Sequence, residues 1–360
     1  MTDRTHPELR ATPADTASFA QRHPRVPYQR TTFGLCVSAL GIGTYLGDST
    51  DADDGAYVKS IVRSIESGIN VIDTALNYRS QRSERAVGSA IRQAIQGGSA
   101  ERSQLVVSSK AGYIPLDTNP PGSREEYRDY VQTRFIEPGI LHPSEIVGGG
   151  HSLAPRFLKY CLATSRQNLG LRTIDVYYLH NPGQQLSSVP TDELRSRLRA
   201  AFVAMEDCVS RGDIGVYGVA TWDELRVPSD SPRYLSLEDL VGLARDVAGE
   251  GHHLRVVQLP INLMMQEAIR LATQPLDGKL VPAVTAASAL GLTVVASASL
   301  MQSRLTSGLP DAVREAFPTC RTDAQRAIAF TRSLPGVTSA LVGMKSIEHV
   351  NENIGALDAG

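Results

Sequence analysis

The chain has 360 residues, of which 42% are hydrophobic, and a formal net charge of −2. This length and composition allow one large α/β domain with an ample core, or two medium ones. The near-neutral charge excludes a general attraction for nucleic acid or for an anionic membrane surface. No apolar run in the sequence reaches the roughly 18 residues that a membrane span requires, so we expect neither nucleic acid nor membrane as a partner.

Eight short apolar runs predict strands, and most are followed by an amphipathic stretch that predicts a helix. Alternating strands and helices with short connections predict right-handed crossovers and a parallel sheet. Eight such units favour a closed (β/α)8 TIM barrel over an open doubly wound sheet, and no GxGxxG motif follows the first strand. The strand candidates are 39–44, 69–73, 105–110, 174–180, 214–219, 255–259, 292–297 and 339–343. The helix candidates are 54–67, 81–96, 153–169, 193–211, 236–248, 281–290, 323–334 and 347–355.

The N-terminal segment and the cysteines bear on the cellular compartment and favour a reducing one. Residues 1–28 are polar and lack the apolar run of a signal peptide, and we expect a poorly structured or extended lead-in that could instead fold back over the barrel. The cysteines form no CxxC pair, which favours free thiols in a reducing compartment over a disulfide or zinc framework. We therefore expect a cytoplasmic protein without a metal site. The cysteines are Cys36, Cys161, Cys208 and Cys320.

Three predicted connections are too long to be simple turns. They are 111–152, 260–280 and 298–322, and each leaves the carboxyl end of a strand. Active sites of (β/α)8 barrels lie on that face. The first connection is rich in proline, glycine and aromatic residues, which favours an ordered lid over a disordered linker. We expect all three to shape a substrate pocket, and residues 111–152 to close on a ligand.

Four side chains should meet at this face. Asp73, Lys110 and His180 each close a predicted strand, and Tyr78 lies five residues beyond the first of them. Taken singly, each has an ordinary explanation as a strand cap, a surface charge or a packing residue. Their shared position at strand ends favours a common site, because the carboxyl ends of parallel barrel strands open on the same mouth.

The four residue types fit proton transfer to a carbonyl group. A tyrosine hydroxyl has a pKa of about 10, and a lysine ammonium beside it lowers that pKa by favouring the phenolate. An aspartate would fix the lysine and keep it charged, while a neutral histidine would hydrogen-bond and orient a carbonyl oxygen. The cluster therefore predicts a proton donor for a carbonyl that receives a hydride.

The motifs around these residues resemble those of the aldo-keto reductases, over roughly residues 28–357. Residues 30–44 are similar to the family's opening hairpin and first barrel strand. Residues 68–75, with Tyr78 and Glu84, are similar to the signature around its aspartate and tyrosine. The resemblance implies one (β/α)8 barrel with an N-terminal β-hairpin, a nicotinamide cofactor that is usually NADP(H), and a small-molecule carbonyl or alcohol substrate. It implies no metal.

The resemblance also assigns a domain and individual roles. The barrel domain would cover residues 29–360. Tyr78 would be the general acid, tuned by Lys110 and Asp73, and His180 would orient the carbonyl. The positions that bind the cofactor in the family are occupied here by Gly43, Thr44, Tyr45, Asp73, Thr221, Gln258, Ser299, Leu300, Gln302, Arg304, Gly343, Lys345, His349, Glu352 and Asn353.

Three parts of the predicted cofactor site depart from the family pattern, and the first is the pyrophosphate loop over residues 298–304, which lacks the family's usual Pro and Gly residues. Ala220 and Thr221 replace the usual Ser-Asn pair that reaches the carboxamide, where Gln258 would also bind. His349 replaces a residue that is often arginine, near the 2′-phosphate. Histidine is mostly neutral at pH 7 and is a weaker phosphate partner than arginine. With Lys345 as a compensating charge, we expect a modest preference for NADPH, with NAD(H) still open.

Three functions remain open on the sequence alone. The leading one is NADP-dependent reduction of an aldehyde or ketone, including sugar-like or natural-product carbonyls, to the alcohol. The second is a redox-neutral epimerase or dehydratase with tightly bound NADP, which the altered cofactor contacts and the long lid favour. The third is a non-enzymatic nucleotide-binding regulatory barrel, against which the intact group of four residues argues. Neither the substrate nor the oligomeric state follows from the sequence.

Overall fold

The computed structural model describes residues 10–358, and its first helix lies ahead of the barrel. This helix, α1 (Pro13–Arg22), begins at the N-cap Thr12 and buries Phe19 completely. An N-cap bond and an apolar contact of this kind stabilise even a short helix. The helix differs from the poorly structured lead-in expected over 1–28 and agrees with the alternative that this segment folds back. The part of that segment before the described range lies outside the structure, and the division into a lead-in and one barrel domain stays a prediction.

The described residues contain twelve strands, eight of which close into one parallel barrel. The other four form two antiparallel hairpins, β1 (Tyr28–Arg30) with β2 (Cys36–Ser38), and β9 (Ala272–Leu276) with β10 (Lys279–Pro282). Hydrogen-bonded pairing runs from β3 through β8, then β11 and β12, and returns to β3. The predicted (β/α)8 barrel and its N-terminal hairpin are confirmed. The barrel strands are β3 (Leu40–Gly43), β4 (Val71–Asp73), β5 (Val106–Ala111), β6 (Ile174–His180), β7 (Ile214–Ala220), β8 (Leu254–Pro260), β11 (Thr293–Ser297) and β12 (Val337–Gly343).

Eleven further helices follow α1 in the described chain, and eight of them overlap the predicted ones. Several begin at a serine or threonine whose side-chain oxygen accepts a backbone N–H of the first turn, as Thr50 and Ser346 do. Within residues 10–358, no helix combines the length and the apolar character that crossing a membrane requires. The helices are α2 (Asp51–Glu66), α3 (Arg82–Gln96), α4 (Arg124–Val131), α5 (Pro155–Leu169), α6 (Thr191–Ser210), α7 (Leu237–Ala248), α8 (Glu267–Arg270), α9 (Ala283–Ala289), α10 (Asp311–Ala316), α11 (Asp323–Arg332) and α12 (Ile347–Ile354).

Alternation along the strands separates the barrel interior from the layer beneath the helices. On β5, Val106 belongs to the apolar cluster inside the barrel, whereas Val107 packs in the cluster that the helices cover. Side chains of a strand point to opposite faces in turn. Lys110 has the parity of Val106 and therefore points inward, and Asp73 on β4 has the parity of the interior residue Val71. The same pattern that fills the core thus directs polar side chains into the mouth.

The long connection after β5 is folded rather than open. It contains α4 and a π-helical turn over Gln132–Ile136. Phe135 in that turn is buried and packs edge-on against Phe157 and Tyr160 of α5, with ring centroids 5.9 and 5.6 Å apart. The connection after β8 carries α8 and the β9–β10 hairpin, and the one after β11 carries α10. The expected order within residues 111–152 is present, but much of the segment packs beside the barrel rather than above its mouth.

Candidate active site

Three neighbouring strands, β4, β5 and β6, bring the four predicted catalytic side chains to one mouth. Lys110 Nζ donates to Asp73 Oδ2 at 2.5 Å and to the carbonyl oxygen of Thr74 at 2.9 Å. The same nitrogen lies 4.9 Å from the centroid of the Tyr78 ring. That ring meets His180 edge-on, with centroids 5.9 Å apart. The structure therefore assembles a lysine–aspartate pair, a tyrosine and a histidine within one cluster.

Asp73 is held through both carboxylate oxygens. Its Oδ1 accepts from Ser108 Oγ at 2.7 Å and from Gln258 Nε2 at 2.9 Å, while Oδ2 binds Lys110. The residue is buried, and a buried carboxylate is tolerated only when paired and hydrogen-bonded in this way. Because the aspartate cannot rotate without breaking these bonds, the position of the ammonium beside the tyrosine is fixed as well.

The pKa values of Tyr78 and Lys110 both rise. Burial raises the pKa of Tyr78 above its usual range, and the Lys110 ammonium opposes that rise only in part. Burial alone lowers the pKa of Lys110, but the charges of Asp73 and of an ionised Tyr78 outweigh it and raise that pKa. The net direction for Tyr78 is opposite to the lowering expected from the lysine alone, because desolvation penalises the phenolate. At neutral pH the tyrosine keeps its proton and the lysine its charge.

His180 is neutral in this setting. Burial, then the nearby Lys110 charge and then His151, lower the pKa of its imidazole well below the usual range. Its Nδ1 is buried and has no hydrogen-bond partner in the described part of the chain, while its backbone carbonyl oxygen lies 2.8 Å from His151 Nε2. A neutral imidazole offers one donor and one acceptor nitrogen, which suits a group that binds a carbonyl oxygen.

The cluster opens into a cavity of about 440 Å³, within the range of about 300–1,000 Å³ that small-molecule sites occupy. Most of the predicted site residues line it. Lys110 does not line the cavity itself, but its ammonium binds Asp73, which does. The predicted residues that line the cavity are Gly43, Thr44, Tyr45, Asp73, Tyr78, His180, Thr221, Gln258, Ser299, Leu300, Gln302 and Gly343.

Five predicted cofactor residues do not line this cavity: Arg304, Lys345, His349, Glu352 and Asn353. Lys345 Nζ is bonded to both carboxylate oxygens of Asp53, each at 3.0 Å. His349 is exposed in the first turn of α12, and Asn353 is buried on the same helix. The helix follows β12 and so starts at the same face of the barrel, but the cofactor-binding roles of these five side chains stay a prediction.

Several side chains that line the cavity were not among the predicted site residues, including Asn77, Tyr113, Asn181 and Trp222. Tyr113 lies edge-on to His180, with centroids 5.1 Å apart, and its hydroxyl accepts from Asn181 Nδ2 at 3.0 Å. A signal existed for three of them, since Asn77 and Asn181 each adjoin a predicted catalytic residue and Trp222 follows another predicted site residue. Tyr113 offered none beyond its place three residues after Lys110.

The chain is strained directly after the tyrosine. Arg79, Ser80 and Gln81 have left-handed backbones, with φ of 48°, 52° and 67°. Such conformations cost about 1–3 kcal/mol each and persist where the surroundings hold them. The Arg79 guanidinium stacks over Tyr57 at 5.1 Å from the ring centroid, and the Gln81 amide donates to a backbone carbonyl at 3.1 Å. These contacts support the turn that presents Tyr78 to the cavity.

Comparison with known proteins settles the family. The sequence model of the Aldo/keto reductase family matches residues 39–229, which is more than half of the chain. The chain belongs to the aldo/keto reductase family. Membership confirms the resemblance that the motifs around Asp73 and Tyr78 suggested.

Two relatives give the degree of similarity. The D-threo-aldose 1-dehydrogenase of Pseudomonas sp is 27% identical over 194 residues, which is 52% of this chain and 51% of the relative. The NADH-specific methylglyoxal reductase of Escherichia coli (strain K12) is 26% identical over 201 residues, 53% of this chain and 51% of the relative. The chain thus matches about half the length of each of these two relatives.

Solved structures agree with the barrel. An aldo/keto reductase from Klebsiella pneumoniae, in complex with NADP and acetate, superposes with a TM-score of 0.61 at 24% identity, covering 92% of this chain and 89% of that one. The holo form of an aldo-keto reductase from Bacillus halodurans gives a TM-score of 0.62 at 17% identity, covering 93% and 92%. At these identities the comparison shows the shared fold.

Proposed function

We propose that this chain is an NADP(H)-dependent oxidoreductase that reduces an aldehyde or ketone to the alcohol, with Tyr78 as the general acid. The observation that carries the proposal is the protonated Tyr78 beside the Lys110–Asp73 pair and a neutral His180, at the mouth of a ligand-sized cavity. Membership of the aldo/keto reductase family and relatives named as a dehydrogenase and a reductase support the interconversion of carbonyl and alcohol. The reductase is named as NADH-specific, so the choice of NADP(H) is supported instead by the Klebsiella pneumoniae complex.

The cavity suits a nicotinamide cofactor. Thr221 Oγ1 and Ser299 Oγ are buried and lack a hydrogen-bond partner within residues 10–358, although both residues line the cavity. Leaving a buried hydroxyl unpaired costs free energy that a polar ligand regains. We assign Thr221 and Gln258 to the carboxamide and Ser299 to the pyrophosphate. The bound cofactor supplies the hydride, and the NADP complex of the Klebsiella pneumoniae relative supports NADP(H) as its identity.

The protein side chains supply the proton and the orientation. His180 hydrogen-bonds the substrate carbonyl oxygen, which places that oxygen next to the Tyr78 hydroxyl. Tyr78 then donates its proton to the oxygen as negative charge develops there. The Lys110 ammonium, held charged by Asp73, stabilises the phenolate that this step leaves behind. In the reverse direction the same phenolate accepts the proton of an alcohol.

The lining of the cavity favours an uncharged substrate. Tyr45, Tyr113 and Trp222 offer aromatic faces, and Asn77 and Asn181 offer amide groups. No lysine or arginine within residues 10–358 lines the cavity, and the nearby Lys110 is already paired with Asp73. An anionic substrate group beside Tyr78 and His180 would therefore be desolvated without a free charge partner. Neutral aldehydes, ketones and sugar-like carbonyls fit this surface, and the relative named for D-threo-aldose supports the last class.

One assay tests the proposal against its alternatives. Purified protein is incubated with NADPH and a panel of neutral aldehydes, ketones and sugars while absorbance at 340 nm is followed. We expect net NADPH consumption with at least one member of the panel. A changed product without NADPH consumption would instead support the redox-neutral epimerase or dehydratase. Absence of both consumption and product would support the non-enzymatic barrel.

The cytoplasmic location stays a prediction, which cell fractionation would test.

A further inference from the structure

We infer that His151 is a positioning residue for His180, and that the long connection after β5 controls the catalytic histidine through it. His151 lies near the end of that connection, 29 residues before His180, and its side chain reaches the backbone of the catalytic residue. The inference rests on the proposed function because it assumes that His180 orients the carbonyl of the substrate. It assigns a role to a residue that does not line the cavity.

The hydrogen bonds of His151 define its tautomer. Arg197 Nη1 donates to Gln185 Oε1 at 2.6 Å, which fixes the oxygen of that amide toward the arginine. The amide nitrogen of Gln185 therefore faces His151 Nδ1, at 2.7 Å. An amide nitrogen is a donor, so Nδ1 accepts and the ring proton lies on Nε2. That proton is donated to the His180 carbonyl oxygen at 2.8 Å.

Burial keeps the His151 imidazole in one protonation state. His151 is 1% exposed, and burial lowers the pKa of its imidazole to about 4. The ring is therefore neutral at physiological pH and keeps one donor and one acceptor nitrogen. Three successive hydrogen bonds therefore run from Arg197 to Gln185, from Gln185 to His151, and from His151 to the backbone carbonyl oxygen of His180.

The chain leaves no room for a further side chain beside the bond between the two histidines. A Cβ atom at Gly112 would lie 2.6 Å from the His180 carbonyl oxygen and 2.9 Å from His151 Nε2. No side chain fits there without displacing one of the two partners. Gly112 follows the last residue of β5, so the strand that carries Lys110 ends where the two histidines meet.

The side chain of His180 has little else to hold it. Its Nδ1 has no hydrogen-bond partner in the described chain, so no bond on that nitrogen sets the ring. Tyr113 packs edge-on against both rings, with centroids 5.0 Å from His151 and 5.1 Å from His180. The ring orientation thus depends on the backbone position, which strand β6 and the His151 bond hold, and on the edge-on contacts with Tyr113 and Tyr78.

Three variants test the role of the Nε2 donor. His151→Phe keeps a ring of similar size and removes the donor, whereas His151→Gln places an amide donor at about the reach of Nε2. Tyr130→Phe is the matched control, because it removes a hydrogen bond within the same connection that involves neither histidine, from the Tyr130 hydroxyl to the Pro115 carbonyl oxygen at 2.7 Å. Displacing a catalytic group by about 1 Å can cost about 10²-fold in rate.

We expect His151→Phe to lower kcat by up to about 10²-fold while the dissociation constant of NADPH stays unchanged. His151→Gln should restore most of kcat, and Tyr130→Phe should remain close to wild type. An unchanged kcat in His151→Phe, or equal losses in the Phe and Gln variants, would overturn the inference.

A second measurement does not depend on turnover. Histidine ¹⁵N spectra of the wild-type protein should show His151 as the neutral tautomer with the proton on Nε2, and His151→Phe should shift the signals of His180. A proton on Nδ1 would overturn the inference even if a variant fails to fold. Absence of NADPH consumption by the wild type with every carbonyl tested would count against the proposed function, while this spectrum would still judge the His151 bond.

Discussion

Lys345 and Asp53 form an ion pair between the connection that follows β12 and the first turn of α2. The lysine Nζ lies 3.0 Å from each carboxylate oxygen, and this bond holds the pKa of Asp53 below its usual range. Lys345 is the side chain we expect to read the 2′-phosphate of NADPH. Because its charge is already paired, a phosphate must compete with a carboxylate for it, and this competition limits the preference for NADPH over NADH.

The first prediction follows from that competition. Asp53→Asn should release Lys345 and strengthen NADPH binding relative to NADH, most clearly at low salt, since exposed charge pairs are screened. Titration of the single Trp222, which lines the cavity, reports both dissociation constants. Asp51→Asn is the matched control, because Asp51 pairs with Arg82 instead. An unchanged or smaller NADPH preference in Asp53→Asn would show that Lys345 does not read the 2′-phosphate.

The second prediction concerns the stability of the buried pair. Lys110→Met leaves Asp73 buried without its ammonium, which should cost about 3–5 kcal/mol in the free energy of unfolding. Lys159→Met removes the exposed partner of Asp207 and should cost much less, because solvent screens an exposed pair. Urea denaturation of both variants gives the comparison. Similar losses in the two would mean that the Lys110–Asp73 pair is no more important for folding than a surface pair.

The third prediction is a pH dependence of stability. The pKa of His151 falls to about 4 in the folded protein, from about 6.5 in an unfolded chain. The unfolded state therefore binds more protons between these values, so the free energy of unfolding falls as pH drops through this window. The share of His151 is on the order of 3 kcal/mol. Urea titrations at several pH values should show a smaller fall for His151→Phe, and identical falls would contradict this.

The fourth prediction refines the lid. Tyr113 lines the cavity, whereas Phe135 is buried against α5. Hydrogen exchange on binding NADPH and a carbonyl substrate should therefore slow near Tyr113 and stay unchanged in the π-helical turn that carries Phe135. Peptides from the two regions in one exchange experiment provide the internal control. Equal protection of both would indicate closure of the whole segment 111–152, and no change in either would reduce it to a passive surface.

Local patterns predicted the elements and part of the site. Asp73 and Lys110 end apolar strands, and the parity of a strand alone directs them inward with Val71 and Val106. The sequence pattern did not predict helix α1, because the helix has few apolar residues and depends for its stability on the burial of Phe19. Helix α4 escaped because the surrounding prolines and glycines resembled an irregular loop.

Contacts between distant parts of the chain were beyond sequence reasoning. Lys345 and Asp53 are 292 residues apart, so no local pattern links them. The bond between His151 and His180 needs the fold of the whole connection between β5 and α5 to be known. The predicted lowering of the Tyr78 pKa was also wrong. The charge of Lys110 can be read from the sequence, whereas the burial of the hydroxyl, which raises the pKa, cannot.

The most direct test of the central claim is the rate of Tyr78→Phe, which keeps the ring and removes only the hydroxyl. Loss of a general acid typically costs 10²- to about 10⁴-fold, so kcat should fall by that factor while NADPH binding by fluorescence titration stays unchanged. Tyr127→Phe, which loses a hydroxyl bond to the Gly149 carbonyl oxygen, is the control and should turn over normally. Turnover of Tyr78→Phe at the wild-type rate would contradict the assignment of Tyr78 as the proton donor.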